Sequence, residues 1–278
     1  MSLGILTNVA ATYAENNLNQ TQGSLQTVLQ QLSSGSRINS GADDAAGLSV
    51  ADGLHANVAA LTQSAQNAQN GVGLLQTADG ALSQVTSLLD RATTLATEAS
   101  NGGLTTAQLT AADTEFQKII TQIGNIGGKT NFNSIGVFSA TPTNFVVTDG
   151  TTLGTTTIGT TTGALSSTSI GGVTFAPATD TLTTTALAGT TLTDVTNAIA
   201  GISAQRGTIG AGINQLSAAA NVASSESVNL SSAESSIRST NYGQATSDLA
   251  KFQVLSQTGI SALAQANSVQ QEILKLLQ

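Results

Sequence analysis

The sequence predicts a mainly α-helical protein, an elongated antiparallel helical bundle or coiled coil made by its N- and C-terminal segments, with a small β-rich insert in the middle. Three observations point there. Two hydrophobic ladders step by seven residues without a missed rung: Leu54, Leu61, Ala68, Leu75, Leu82, Leu89, Ala96, and then Val195, Ile202, Ile209, Leu216, Ala223, Leu230, Ile237. Seven residues are two helical turns, so each ladder is one apolar stripe on a rod of roughly 60 Å. Both prolines, Pro142 and Pro177, lie in the middle, leaving the flanks free for long helices. Between them the composition turns to Thr, Gly and short β-branched runs such as Asn144-Phe145-Val146-Val147-Thr148, which favours strands.

In chain order, Ala14, Leu18, Thr21, Leu25, Val28 and Leu32 alternate steps of four and three and predict a first helix, which stops at Ser33-Ser34-Gly35. Residues 37–41 read as a loop. A second helix begins near Asp43 and carries the first ladder. Its partner row Ala51, Val58, Ala65, Val72 breaks at Asp79 and resumes one residue earlier at Ala78, a slip of register beside Gly80. Asn101-Gly102-Gly103 ends that helix. A third shows Leu109, Ala112, Phe116, Ile119, Ile123 and Ile126 on one face, with Gly127-Gly128 as its stop.

The insert covers 139–191, with Asp149-Gly150 as a hairpin signal. A fourth helix from about Thr193 carries the second ladder. The last helix shows Phe252, Leu255, Gly259, Ala262, Ala266, Val269, Ile273 and Leu276. If the chain goes out and returns, the ladders pair antiparallel, with Leu54 towards Ile237. Three regions follow: terminal helices 1–42 and 238–278, a helical rod 43–138 and 192–237, and the insert.

Charge is the unusual part of the composition. Asp, Glu, Lys and Arg make up 9% of residues, against about 25% in ordinary soluble domains. Uncharged polar side chains are cheaper to desolvate than ions, so such a surface suits dense packing against other subunits. A net charge of −8 argues against nucleic acid or an anionic membrane as partner. Without cysteine, disulfides, thiolate zinc sites and thiol catalysis are excluded, and the single His55 leaves little for a histidine metal site or triad. No catalytic, metal or cofactor site is expected. No apolar run is long enough to span a bilayer. The start of the chain lacks the basic and apolar pattern of a cleaved signal peptide.

Asp43-Asp44 read as caps on the second helix, where carboxylates suit the dipole; a tie between Arg37 and either aspartate is a further reading. Gly207, Gly210 and Gly212 follow no strand, which argues for close helix packing rather than a phosphate loop.

The run Leu32-Ser33-Ser34-Gly35-Ser36-Arg37-Ile38-Asn39-Ser40-Gly41-Ala42-Asp43-Asp44-Ala45-Ala46-Gly47-Leu48 closely resembles the N-terminal signature of bacterial flagellins. Asn67-Ala68-Gln69-Asn70-Gly71-Val72, Gln76-Thr77-Ala78-Asp79-Gly80-Ala81-Leu82 and Thr130-Asn131-Phe132-Asn133 resemble it too. Ser235-Ser236-Ile237-Arg238-Ser239-Thr240-Asn241-Tyr242 and Leu263-Ala264-Gln265-Ala266-Asn267 look like the C-terminal signature. The resemblance covers about 1–140 and 190–278.

It implies a structural subunit of the extracellular flagellar filament, exported by the type III route, with no enzymatic activity and no cofactor. It implies many copies of the chain as partners, an export chaperone on the C-terminal helix, and filament cap and hook-junction proteins. Inner-core assembly would fall to Leu18, Leu25, Leu32, Phe252, Leu255, Val269, Ile273 and Leu276, and the loop to Arg37, Asn39, Asp43 and Asp44. The face carrying Arg91, Leu95 and Glu98 is where an animal innate immune receptor binds flagellins; here Thr93-Thr94 replace the Arg-Glu pair of many recognised members. Subunit contact is the other reading of that face. Alternatives for the whole chain are a hook–filament junction protein, which tends to carry proline where Ala45 stands, and a secreted coiled-coil adhesion protein.

Overall fold

The computed structural model describes residues 8–148 and 155–276. Among the described residues there are five helices: α1 (Val9–Ser34), α2 (Ala45–Ser100), α3 (Thr106–Lys129), α4 (Thr185–Arg238) and α5 (Tyr242–Leu276). Between α3 and α4 come three two-stranded antiparallel hairpins: β1 (Asn131–Phe132) with β2 (Ile135–Gly136), β3 (Thr143–Thr148) with β4 (Thr155–Thr160), and β5 (Ser169–Ile170) with β6 (Val173–Thr174). The fold is mainly α with small hairpins in the middle, as the ladders and the composition shift predict. The expected Asp149-Gly150 turn lies outside the described residues. The chain divides into two units, one formed by residues up to Ala56 and from Asn229 onward, the other by Asn57–Val228.

The second unit holds the main core. Leu75, Leu82, Leu89, Val195, Ile202 and Leu216 are fully buried, and Leu61 and Ile209 nearly so. α2 and α4 run antiparallel here: Thr62 meets Ser227, and Arg206 grips Asp79 with Nε–Oδ1 at 2.7 Å and Nη2–Oδ2 at 3.3 Å. The partner row shifts by one residue as expected, to the fully buried Ala78, Val85, Ala92 and Ala99, while α2 stays continuous through Asp79 and Gly80. Asp79 takes a partner-row position, and its carboxylate is answered by a guanidinium between rungs Ile202 and Ile209. α4 starts about two turns before Thr193. Ala188, seven residues ahead of Val195, is fully buried and adds a rung that the Thr-rich sequence around it conceals.

The insert belongs to the same core. Ile158, Leu165, Ile170 and Phe175 are buried among α2, α3 and α4 residues. On the inner face of β3–β4, Phe145 pairs with Ile158 and Thr143 with Thr160. The β1–β2 hairpin falls where no strand is expected. Its turn, Asn133-Ser134, has φ of 50° and 64°, the paired positive values of a type I′ turn.

Glycine marks where insert and helix backbones meet. α3 does not stop at Gly127-Gly128 but runs to Lys129; a Cβ on Gly127 would collide with the Leu165 carbonyl. Of the three glycines expected to give close packing on α4, only Gly212 does so, against Leu75 and Thr160, while Gly207 and Gly210 face open space. Gly80 is likewise open. Gly80→Ala is therefore expected to raise stability by roughly 1 kcal/mol through helix propensity, measured by chemical denaturation.

Candidate assembly surfaces

In the first unit α1 and α5 form an antiparallel pair. The α1 face turned inward is Ala11, Ala14, Leu18, Thr21, Leu25, Val28 and Leu32, the predicted stripe with one turn added, and Val28 is its most buried member. Asn8 caps α1 by accepting from the Ala11 amide at 3.0 Å and donates through Nδ2 to the Ala266 carbonyl at 2.9 Å. Gly35, with φ of 71°, ends α1, and its carbonyl accepts from the Thr240 amide at 3.0 Å.

On α5 the predicted stripe splits into two rows. Phe252, Gly259 and Ala266 are partly buried on the inner side, with Gly259 packed on Leu18. The second row facing inward is Leu249, Ser256 and Leu263, one residue away from the expected Leu255, Ala262 and Val269. Steps of three and four both follow from a first row, so spacing alone does not choose between them, and Ser256 weakens the signal of the row that packs. Leu255 and Val269 stay 43% and 41% exposed, with Ala262 between them. The side chains of Ile273 and Leu276 lie outside the described ones. From Phe252 to Gln271 there is no charged residue, and Glu15 is the only one in α1. Val9, Tyr13, Val254 and Ile260 add further exposed apolar surface.

The loop after α1 is tied to the start of α5 and the end of α4. Ile38, 3% exposed, anchors it. The Arg37 amide donates to the Arg238 carbonyl at 2.7 Å and its guanidinium to the Ile237 carbonyl at 2.8 Å, so the cation sits at the negative end of α4. A tie to Asp43 or Asp44 is not how Arg37 is used. The two aspartates divide the work. Asp44 accepts from the Gly47 amide at 2.8 Å and caps α2, while Asp43 accepts from the Asn39 and Ser40 amides at 3.0 and 2.8 Å and folds the loop. Those two amides hold the Asp43 carboxyl below its ordinary value. Its contribution is thus present at neutral pH and lost as pH falls through the lowered value. Asn39 donates through Nδ2 to the Ser36 carbonyl at 2.9 Å.

At this end of the ladders Leu54, Leu230 and Ile237 are only half-buried. Their surroundings are polar: His55 meets Glu234 at 3.3 Å, and Arg238 joins Glu234 to Asp52 at 3.1 and 3.2 Å. These contacts set α2 antiparallel to α4 with the Leu54 and Ile237 stretches facing.

The face expected to display Arg91, Leu95 and Glu98 is altered in one member. Leu95 is 3% exposed and packs in the core, because its position falls on the inward side of α2. Arg91 and Glu98 remain outside. Arg91 holds Glu115 of α3 in a two-pronged pair at 2.8 and 3.1 Å, which lowers the Glu115 carboxyl below its ordinary value. Among the described residues no helix is long and apolar enough to cross a membrane, and no group of three or more histidines or acidic residues is arranged to hold a metal ion.

Such an arrangement defines a helical structural protein whose first and last segments pair with each other and leave uncharged faces outside. Residues 5–143 match the bacterial flagellin N-terminal helical region and residues 192–277 the bacterial flagellin C-terminal helical region. The chain belongs to the bacterial flagellin family. Flagellin 1 of Proteus mirabilis is 37% identical over 151 residues, covering 54% of this chain and 41% of the relative. A flagellin of Serratia marcescens is 40% identical over 140 residues, covering 50% of this chain and 40% of the relative. The chain thus spans about two fifths of the length of these curated relatives. A crystal structure of Bacillus cereus flagellin superposes with a TM-score of 0.46 at 29% identity, covering 56% of this chain and 88% of that one.

Proposed function

We propose that this chain is a structural subunit that polymerises into the extracellular flagellar filament, acting by assembly and not by catalysis. The observation that carries this reading, on a chain of the flagellin family, is the uncovered seven-residue row Leu255, Ala262, Val269 on a charge-free stretch of α5. A helix pair that leaves such a row in water gains by covering it with another copy, at about 25 cal/mol per Å² of apolar area. Repeated from copy to copy, a contact between non-identical patches builds an open helical polymer.

The same reading extends to finer partners. An export chaperone on α5 before assembly, and cap and hook-junction proteins at the filament ends, fit the same exposed row. An innate immune receptor would meet Arg91 and Glu98 without Leu95.

Electron microscopy of the purified chain under polymerising conditions tests the proposal. Long tubular filaments are expected from the native chain. Leu255→Asp with Val269→Asp should keep the native circular dichroism spectrum and form no filaments. Discrete particles from the native chain, or undiminished filaments from the double variant, would overturn it.

A further inference from the structure

Asparagine followed by glycine is chemically labile in water wherever the backbone joining them is free to move. With no Cβ in the way, the glycine amide nitrogen reaches the asparagine side-chain carbonyl carbon. The sequence holds two such pairs, Asn70-Gly71 and Asn101-Gly102, and the structure gives them opposite settings. Asn70-Gly71 lies inside α2, where the Gly71 amide belongs to the helical ladder. Gly71 is buried, with Leu216 and Phe145 standing where its Cβ would be. Its nitrogen is released for attack only when the middle of a packed helix opens.

Asn101-Gly102 lies just past the end of α2, in the turn that leads to α3. Asn101, Gly102 and Gly103 are all exposed, and nothing lies within 4 Å of the Cβ position at either glycine. The Asn101 amide donates to the Glu98 carbonyl at 3.2 Å, and the Gly103 amide to the Asn101 carbonyl at 2.7 Å. Between these two bonds, among the described residues, no hydrogen bond holds the Gly102 amide or the Asn101 side chain. The loop at Asn39-Ser40 shows the contrary case. There Asn39 Nδ2 donates to the Ser36 carbonyl at 2.9 Å and the Ser40 amide to Asp43 at 2.8 Å, so both groups that would react are tied.

We propose that Asn101-Gly102 is a site of spontaneous covalent modification, at which the folded chain converts Asn101 to aspartate and isoaspartate with water as the only co-reactant. The Gly102 amide nitrogen forms a bond to Asn101 Cγ and gives up its proton. The Cγ–Nδ2 bond breaks, and Nδ2 leaves with that proton as ammonia. What remains is a cyclic imide, with nothing oxidised or reduced. Water then opens the ring. Addition at Cγ gives aspartate, and addition at the main-chain carbonyl carbon of Asn101 gives isoaspartate, in which the backbone runs through the former side chain. Either product carries a new carboxylate. That charge falls at the negative end of α2, whose last turn holds Glu98 and no basic residue. Each copy thus gathers, with age, a charge that loosens the last turn of α2. The reaction proceeds in a single chain and is independent of the polymerisation reading.

Peptide mapping by mass spectrometry tests this on the full chain, kept folded in mildly alkaline buffer. Conversion reads as a gain of about 1 Da at the asparagine, with aspartate and isoaspartate peptides separated by chromatography. In the folded native chain Asn101 is expected to convert at least about tenfold faster than Asn70, and in urea, where both pairs are free, the two rates should agree within about threefold. Gly102→Ala is admitted by the open space and by a φ outside the left-handed region. It should slow Asn101 about tenfold and leave Asn70 unchanged. The comparison of Asn101 with Asn70 needs no variant to fold. Equal rates at the two sites in the folded chain, an equally large difference in urea, an unaltered Asn101 rate in Gly102→Ala, or aspartate without isoaspartate would overturn the proposal.

Discussion

Gly201→Ala is expected to destabilise the protein by about 3 kcal/mol or more in urea denaturation. A Cβ at this position of α4 would fall on the Gly171 carbonyl oxygen, with the Gly171 carbon atoms within 2.9 Å. The obstacle is backbone, not a side chain that can rotate away. Gly171 has no freedom of its own, because it holds φ of 60° at the β5–β6 turn and lies against the Ala198 carbonyl and the Ile202 amide. The two glycines interlock, and the turn must lift off the helix to admit a methyl group. Gly207→Ala supplies the contrast, two turns further along the same helix. Nothing lies within 4 Å of its Cβ position, so helix propensity should make that change stabilising by roughly 1 kcal/mol. Equal effects from both substitutions would mean that the hairpin does not seat there.

Leu82→Ala and Leu255→Ala should separate folding from assembly. Leu82 is fully buried in the ladder, and its truncation is expected to cost about 3 kcal/mol or more, from lost burial and the cavity left in a packed core. Leu255 is 43% exposed, so its truncation should leave the denaturation midpoint within about 0.5 kcal/mol of native while raising the concentration needed for polymerisation. A reversal of this order in the denaturation of the isolated chain would place the ladder, not the outer row, at the surface.

The helices and the main core were legible because a seven-residue step survives in a sequence of small residues. Leu61, Leu75, Leu82, Leu89, Val195, Ile202, Ile209 and Leu216 are all buried along it. Less was readable where one position had two explanations. On α5, a stripe three and four residues wide named the right helix face to within one row, and only the placement of α1 decided between Leu255 and Ser256. Gly127 looked like a helix stop, since glycine is both a terminator and a place of close approach. The first eight residues of α4 are rich in Thr, whose strand preference is overridden by the burial of Ala188 and Thr191. The Arg206–Asp79 pair left one trace, opposite charges interrupting apolar rows on both helices.

Threonine and serine hydroxyls all along the helices are turned back on their own backbone. Thr62, Thr77, Thr86, Thr93, Thr97, Thr110, Thr121, Thr196 and Thr258 each donate to the carbonyl four residues earlier. Each such threonine has its hydroxyl donor already spent. In the assembly proposed above, little hydration would have to be stripped away where copies meet, and few ions would face one another. Dissolved salt acts on a protein surface mainly by screening its charges. On these helix faces it finds few, so in the proposed assembly screening would contribute little where copies meet.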